Sequence, residues 1–315
     1  MKKLKLGNSG IEVSRLCFGA LIIGPLQSSL SVEEGAEVIL EALKLGVNFI
    51  DSAELYGTYP HIRKAISLFG DKPVIASKSY AYSKDGAKAS LELVRKGLNI
   101  DVVDIFMLHE QESRLTLRGH RDALEYYLGE KQKGRIKAVG VSTHNIEVVE
   151  ACSEMPEIDI IHPIINRTGI GIGDGSIESM LSAVRKAYDK GKGIYSMKPL
   201  GGGNLLSTFP ESMEFALSQP FVHSIAVGMQ SVEEVIMNVN LFEGKDIPQE
   251  ILSSIKRKGK KLHIDYWCSA CGKCVSRCGQ NALSVIDGKA RVDMEKCLLC
   301  GYCGSACPQF AIKIC

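Results

Sequence analysis

This sequence of 315 residues lacks several features that would assign it to a class of protein at once. It has no apolar run of about 18 residues, and its first residues, MKKLKLG, lack the apolar stretch of a secretory signal, so we expect a soluble, cytoplasmic chain with no membrane partner. It also lacks an excess of one charge. The 38 basic and 36 acidic side chains argue against a broad surface for nucleic acid. A hydrophobic content of 45% with 23% charged residues is typical of a globular protein.

Cysteine, in contrast, is concentrated at one end of the chain. Eight of the 11 cysteines lie after residue 267, and each of the first four recurs 29 residues later. They are Cys268, Cys271, Cys274, Cys278, Cys297, Cys300, Cys303 and Cys307. Both sets follow the pattern C-x2-C-x2-C-x3-C, so the tail is an internal duplication.

The spacing of these cysteines predicts two [4Fe-4S] clusters, in which three closely spaced thiolates hold one cluster and the fourth crosses to the other. Cluster one would take Cys268, Cys271, Cys274 and Cys307, and cluster two would take Cys297, Cys300, Cys303 and Cys278. Zinc is the alternative, although it leaves the third cysteine of each run unexplained. Disulfides need an oxidising compartment, and the sequence shows no targeting signal for one.

The tail, residues 264–315, resembles the bacterial two-cluster ferredoxin domain. It departs from that family at Cys278-Gly279, where a Cys-Pro pair is usual. Of the remaining cysteines, Cys17 and Cys152 are expected to be small core residues, and Cys315 receives no assignment. Trp267, the only tryptophan, is expected to pack the tail onto the rest of the chain or to shield cluster one.

The first 246 residues alternate between short apolar runs and helical patterns. The apolar runs are 15–21, 48–53, 74–79, 102–109, 136–143, 158–166, 193–200 and 223–229. Ser31 and Glu34 indicate a capping box, while Gly46, Gly134 and Gly191 lie where helices should end. Eight strands, each followed by a helix, predict an α/β fold, a (β/α)8 TIM barrel, preceded by a hairpin at residues 3–13. The rival, a doubly wound sheet, lacks its G-x-G-x-x-G after the first strand.

Polar groups interrupt three of these strands near their carboxyl ends, which is where the chemistry of such barrels lies. They are Asp51 and Tyr56, Lys78, and His109. A carbonyl group that accepts a hydride also needs a proton, and a tyrosine can supply it if a cation lowers its pKa from ~10. Lys78 would supply that cation and Asp51 would hold it, while His109 would orient the carbonyl oxygen. Each residue alone could be structural, but together they predict a catalytic site.

Residues 1 to 245 resemble the aldo-keto reductase family. The resemblance rests on NFIDSAELYG (48–57), VIASKS (74–79), DIFMLHE (104–110), GRIKAVGVSTHN (134–145), KPLGGG (198–203) and SIAVGMQSVEEVIMNVN (224–240). The family's four catalytic positions match Asp51, Tyr56, Lys78 and His109. The resemblance implies reduction of an aldehyde or ketone by NAD(P)H, with the cofactor across the carboxyl ends of the strands.

The positions that would contact the cofactor match the family less well. His162 stands where a glutamine is usual, Met197 replaces a stacking tyrosine, and Ser142 and Thr143 could still bind the carboxamide. Glu234 replaces a basic residue and would favour NADH over NADPH. The other expected cofactor contacts are Lys198, Pro199, Leu200, Gly201, Gly203, Gly228 and Asn238, with Gly202 completing a run whose amides could approach a diphosphate.

We therefore expect three parts: a reductase-like barrel at 1–246, a helical linker at 247–263 and a two-cluster domain at 264–315. In the preferred interpretation the barrel reduces a small carbonyl substrate with NAD(P)H, and the clusters transfer electrons to or from a redox partner protein or have a structural or sensory role. In a second, the clusters feed electrons to a flavin or to the substrate in the barrel, since a flavin couples one-electron and two-electron chemistry. In a third, the barrel is a non-catalytic scaffold for electron transfer.

Overall fold

The computed structural model describes residues 1–257 and 260–315, so residues 258 and 259 of the predicted linker lie outside the described residues. The chain begins with an antiparallel hairpin of β1 (Lys3–Lys5) and β2 (Glu12–Ser14), as predicted. Eight parallel strands then close into a barrel, because the last of them pairs with both the first and the seventh. These strands are β3 (Leu16–Gly19), β4 (Phe49–Asp51), β5 (Val74–Ser79), β6 (Val103–Gln111), β7 (Ile136–Thr143), β8 (Ile160–Pro163), β9 (Gly193–Met197) and β10 (Ser224–Gly228). The predicted α/β barrel is confirmed.

Each barrel strand is followed by helix, and the connection after β6 contains two. The helices are α1 (Val32–Lys44), α2 (Tyr59–Phe69), α3 (Lys84–Leu98), α4 (Arg114–Gly119), α5 (Arg121–Gln132), α6 (Ile146–Glu154), α7 (Ile177–Asp189), α8 (Phe209–Leu217) and α9 (Val232–Phe242). The predicted capping box at Ser31 and Glu34 opens α1. Gly46, Gly134 and Gly191 each lie just past a helix end with a positive φ, the conformation that favours glycine there.

The barrel has two layers of core. One fills the barrel interior, where Cys17, Met107 and Tyr195 pack over Leu6 and Val13 of the amino-terminal segment. The other lies between the strands and the helices and includes Cys152. Both cysteines are fully buried, which confirms their prediction as core residues. Five of the eight strands are shorter than their apolar runs, because the last residues of those five runs leave the barrel as loops at its mouth.

The tail repeats one small unit twice. After α10 (Gln249–Arg257) come β11 (Leu262–Ile264), α11 (Lys273–Arg277), β12 (Leu283–Ile286), β13 (Lys289–Val292), α12 (Tyr302–Ser305) and β14 (Ile312–Ile314). β11 pairs with β14 and β12 with β13. Positive φ values recur 29 residues apart, at Ala270 and Leu299 and again at Asn281 and Phe310, so the backbone repeats as the sequence does. The domain boundaries themselves stay a prediction.

The tail lies over the mouth of the barrel. Asn204, in the loop after β9, donates a hydrogen bond of 2.9 Å to the carbonyl of Ile312. A Cβ on Gly203 would lie 2.0 Å from the carbonyl oxygen of Ile314, and one on Gly301 would lie 2.3 Å from the carbonyl oxygen of Asn204. Glycine at both positions therefore allows close backbone approach between barrel and tail.

Among the helices in the described part of the chain, none is long and apolar enough to cross a membrane.

Candidate functional site

The four predicted catalytic side chains meet at the carboxyl ends of neighbouring strands. Asp51 ends β4, Tyr56 lies in the short 3-10 helix Glu54–Tyr56 that follows, Lys78 lies in β5 and His109 in β6. Lys78 Nζ is 2.8 Å from Asp51 Oδ2, and Tyr56 Oη is 3.4 Å from His109 Nε2. The ammonium of Lys78 also lies 4.9 Å from the centre of the Tyr56 ring. The structure thus brings together the residues that the sequence separates by up to 58 positions.

The Lys78–Asp51 ion pair is buried, and both of its members form a further hydrogen bond. Lys78 donates a second hydrogen bond to the carbonyl of Ser52, and the hydroxyl of Tyr195 donates to Asp51 Oδ1 at 2.8 Å. Burial by itself would raise the pKa of Asp51, but Lys78 and His162 favour the carboxylate and leave the pKa below its ordinary value. Asp51 is therefore charged and fixes the ammonium of Lys78 beside Tyr56.

Tyr56 is protonated, as a proton donor must be, and His109 is a neutral imidazole that can form hydrogen bonds. Burial, with the carboxylates of Asp51 and Glu110, raises the pKa of Tyr56 well above its ordinary value. The sequence predicts a lowered pKa for Tyr56, but in the folded chain burial has the largest effect and raises it. Burial, reinforced by Lys78, lowers the pKa of His109 to about 3, so its imidazole is neutral at pH 7.

Two cavities open on either side of Tyr56. The first, called the cleft, has a volume of about 430 Å³ and is bounded by Asp51, Tyr56 and the β9 and β10 loops on the barrel side and by Ile314 and Cys315 of the tail. The predicted cofactor contacts that line it are His162, Met197, Lys198, Pro199, Leu200, Gly203, Gly228, Glu234 and Asn238. Asn238 Oδ1 is buried without a donor, while its amide nitrogen bonds the carbonyl of Glu234.

Three predicted cofactor contacts, Ser142, Thr143 and Glu234, bond other groups of the chain. Ser142 accepts a hydrogen bond from the backbone amide of Glu110, and Thr143 donates one to the carbonyl of Gln111. Both side chains are fully buried, and their hydroxyls bond the irregular end of β6. Neither residue lines the cleft or the second cavity, which is described below. Glu234 forms a 3.0 Å ion pair with Lys260.

The predicted glycine run, 201–203, lies against the tail. A Cβ added to Gly201 would meet Ile170 and Leu205, and one added to Gly202 would meet the side chains of Lys313 and Phe310. Gly203 contacts Ile314, as described above. Gly202 and Gly203 also line the cleft, so this part of the run faces both the tail and that cavity.

The second cavity, called the chamber, has a volume of about 810 Å³ and is built jointly by barrel and tail. Tyr56 and His109 line it from the barrel, and Trp267, Gln309 and Phe310 line it from the tail. The indole of Trp267 donates to the carbonyl of Gln309, so Trp267 borders the chamber and also contacts the loop that follows Cys307.

Sequence reasoning missed several residues around the chamber. Tyr80 stacks on His109 with ring centres 4.4 Å apart and donates to Glu110, and Lys198 Nζ lies 2.7 Å from His144 Nε2. Burial would raise the pKa of Glu110, but Lys198 and the two histidines hold it far below its ordinary value. Tyr80, Glu110 and His144 directly follow predicted strands, which was the available signal. The contribution of the tail had no such signal.

The cysteines of the tail line two separate small cavities, with one predicted ligand set in each. Cys268, Cys271, Cys274 and Cys307 line one, and Cys278, Cys297, Cys300 and Cys303 line the other. Backbone amides donate to the crossing thiols symmetrically, from Ala311 to Cys307 and from Ala282 to Cys278. Burial raises the pKa of Cys303 to about 11, a cost that metal coordination would offset because bound cysteine is deprotonated.

The same cysteines are poorly arranged for a single ion. Within residues 1–257 and 260–315, no three His, Cys, Asp or Glu side chains are grouped so that they could hold one metal ion. Each of the two cavities is lined by four thiols, the number of ligands that one [4Fe-4S] cluster takes.

Comparison with known proteins finds a match for the barrel and another for the tail. The model of the aldo/keto reductase family matches residues 15–214, and the model of the 4Fe-4S binding domain matches residues 290–313. Fold and site place the protein among the barrel oxidoreductases. The chain belongs to the aldo/keto reductase family, and its tail carries a 4Fe-4S binding domain.

The relatives are distant in sequence but similar over most of their length. The chain is 24% identical to the L-galactose dehydrogenase of Arabidopsis thaliana, over 80% of this chain and 92% of the relative. It is 22% identical to an uncharacterised oxidoreductase of Bacillus subtilis, over 83% and 97%. An aldo-keto reductase of Bacillus halodurans, solved in its holo form, superposes with a TM-score of 0.64 at 21% identity, covering 82% of this chain and 96% of that one, which shows the shared fold.

Proposed function

We propose that the protein reduces an aldehyde or ketone, with Tyr56 as the proton donor to the carbonyl oxygen. The observation that carries this proposal is the position of Tyr56, which borders both the cleft and the chamber. A reductant in the cleft and a carbonyl in the chamber would therefore meet at its hydroxyl. The expected lining residues of the cleft and the free acceptor Asn238 Oδ1 fit NAD(P)H, which membership in the family implies.

Each residue of the site has a role in this reaction. NAD(P)H, when bound, supplies the hydride for the carbonyl carbon. Tyr56 keeps its proton until negative charge develops on the substrate oxygen, because its raised pKa opposes earlier loss. Neutral His109 donates a hydrogen bond to the same oxygen through Nε2, and Lys78, held by Asp51, stabilises the phenolate that remains.

The proposal includes both NADH and NADPH as the reductant, because of the charges at Glu234 and Lys260. The expected preference for NADH rests on the carboxylate of Glu234. Lys260 neutralises that carboxylate at 3.0 Å and also lines the cleft. The net charge of this pair is zero, so the reason to exclude a 2′-phosphate is removed.

We propose two [4Fe-4S] clusters for the tail, held by the two cysteine sets named above. A specific observation favours a second candidate function, in which the clusters deliver electrons to the barrel. Cys307, a ligand of cluster one, is followed directly by Pro308 and Gln309, which line the chamber together with Tyr56. In that case a flavin would join one-electron transfer to the two-electron reduction of the carbonyl.

The replacement Tyr56→Phe tests the reductase function. We expect turnover of aldehydes to fall by about 10²-fold or more, the usual contribution of a positioned acid, while iron content stays unchanged. Tyr82→Phe is the matched control, because Tyr82 is 69% exposed and borders neither cavity. Unchanged turnover in the Tyr56 variant would reject Tyr56 as the proton donor, and no aldehyde turnover by the wild-type chain would reject the reductase and favour the scaffold for electron transfer.

Analysis of protein purified without oxygen separates the remaining alternatives. We expect about eight irons and eight sulfides per chain, no flavin and binding of a nicotinamide dinucleotide. Bound flavin would favour the cluster-fed reaction. Stoichiometric zinc would overturn the assignment of the tail.

A further inference from the structure

Two lysines lie at the boundary between the cleft and the chamber. Lys198 follows β9 of the barrel, and Lys313 belongs to β14 of the tail. Both side chains border both cavities, as Tyr56 does. Lys313 is 5% exposed, although it belongs to a small domain that could have kept it in solvent. A lysine of the tail is therefore built into the interior of the reductase site.

The ammonium groups of these lysines are incompletely neutralised. The nearest carboxylate oxygens are Glu110 Oε1 at 3.9 Å from Lys198 and Asp265 Oδ2 at 3.5 Å from Lys313. Both distances exceed the 2.8 Å between Lys78 and Asp51 in the same site. Each carboxylate is also shared, since Tyr80 donates to Glu110 and His263 Nε2 lies 3.0 Å from Asp265.

The other contacts of the two lysines come from neutral groups. Lys198 bonds His144 Nε2, and Lys313 donates to the carbonyl of Phe310 and lies 3.6 Å from the centre of its ring. Burial, together with Lys198, lowers the pKa of Lys313 to about 7. Buried cations whose ion pairs are as long as 3.5 and 3.9 Å are only partly compensated, and an anion bound by both lysines would improve this compensation.

The backbone at this place is also unusual. Lys198 has a φ of 57°, and Glu110, its carboxylate partner at 3.9 Å, has a φ of 43°. Side chains other than glycine adopt this region at an energetic cost, and such strain is common where a side chain is held for function.

We propose that Lys198 and Lys313 together bind an anionic group, a carboxylate or a phosphate, of a ligand that lies where the cleft meets the chamber. The tail therefore completes the active site by supplying one of its two cations. This proposal rests on the reductase function, because the anion would belong either to the carbonyl substrate or to the reductant. An anion at this place would lie beside Tyr56, so it would also orient the ligand that carries it.

The test measures binding to the full chain, with clusters intact, by isothermal titration calorimetry. The variants are Lys313→Met and Lys198→Met, and Lys273→Met is the control, because Lys273 is an exposed lysine of the tail. The probes are inorganic pyrophosphate and NADH for the reductant, and 4-carboxybenzaldehyde with its neutral analogue benzaldehyde for the substrate. Iron content and circular dichroism show whether each variant is folded.

We expect both variants to bind at least one class of anionic probe about tenfold more weakly, with benzaldehyde and the control variant unaffected. Loss confined to pyrophosphate and NADH assigns the anion to the reductant, and loss confined to 4-carboxybenzaldehyde assigns it to the substrate. Because Lys198 belongs to the barrel, its variant decides the matter if Lys313→Met unfolds the tail.

Affinities within about twofold of the wild-type values, or no binding of any of these anions to the wild-type chain, would overturn the proposal. Tyr56→Phe keeps the two proposals distinct. If that variant loses turnover while the lysine variants bind anions normally, the anion site fails and the reductase stands. If the lysine variants lose anion binding while Tyr56→Phe keeps full turnover, the anion site stands and the role of Tyr56 as proton donor fails.

Discussion

Replacement of Gly203 by alanine should separate the tail from the barrel mouth without altering either ligand set. The three atoms nearest to a Cβ at this position all belong to Ile314, the closest being its carbonyl oxygen at 2.0 Å. Contacts below 3.0 Å are essentially not seen for a Cβ, so β14 must retreat by about 1 Å.

The expected cost follows from these contacts. Overpacking of this kind costs about 1–3 kcal/mol. Retreat of the strand also removes the hydrogen bond from Asn204 to the carbonyl of Ile312, which contributes about 1 kcal/mol. Together these give about 2–4 kcal/mol, which lowers the ratio of docked to undocked tail by at least about 30-fold.

Hydrogen exchange of the peptide 200–206 measures this change, because the docked tail covers these amides. The control is Gly70→Ala, since Gly70 has a φ of 84°, close to the 85° of Gly203, and a Cβ there would have no atom within 4 Å. Both variants bear the same backbone strain, and only one meets the tail. Equal exchange of this peptide in the two variants would refute the docking described here.

Two further predictions concern the pH dependence and the clusters. Burial lowers the pKa of His162 from 6.5 to about 4. Between these two pH values the unfolded chain binds a proton that the folded chain does not. The free energy of unfolding therefore decreases by about 1.4 kcal/mol for each pH unit as the pH falls. His162→Phe should therefore flatten the decline in denaturation midpoint between about pH 6.5 and about pH 4.5, and an unaltered decline would contradict the buried neutral imidazole. Cys307→Ser should lower the iron content from about eight to about four per chain, with Cys152→Ser unchanged, and complete loss of iron would show that the two clusters do not assemble separately.

Much of the fold follows from local patterns in the sequence. The eight apolar runs separated by amphipathic helices predict the closed barrel, because parallel strands need helical crossovers that cover the sheet. The same rule predicts that Asp51, Lys78 and His109 meet, since the carboxyl ends of parallel strands share one rim. Cysteine spacing is likewise local, and it predicts the two ligand sets that line separate cavities in the structure.

The sequence does not reveal what lies across the mouth of the barrel. The hydroxyls of Ser142 and Thr143 bond the backbone of β6, and Glu234 forms an ion pair with Lys260. These partners are distant in sequence, so the local pattern around each residue does not reveal them. Similarly, Asn204 and Ile312 are 108 residues apart, and Asp51 and Tyr195 are 144 apart. Periodicity and motif spacing report on contacts within one element or one repeat. The docking of the tail, the incomplete neutralisation of Lys313 and the joint chamber depend instead on how two folded units fit together, and only the tertiary structure decides that.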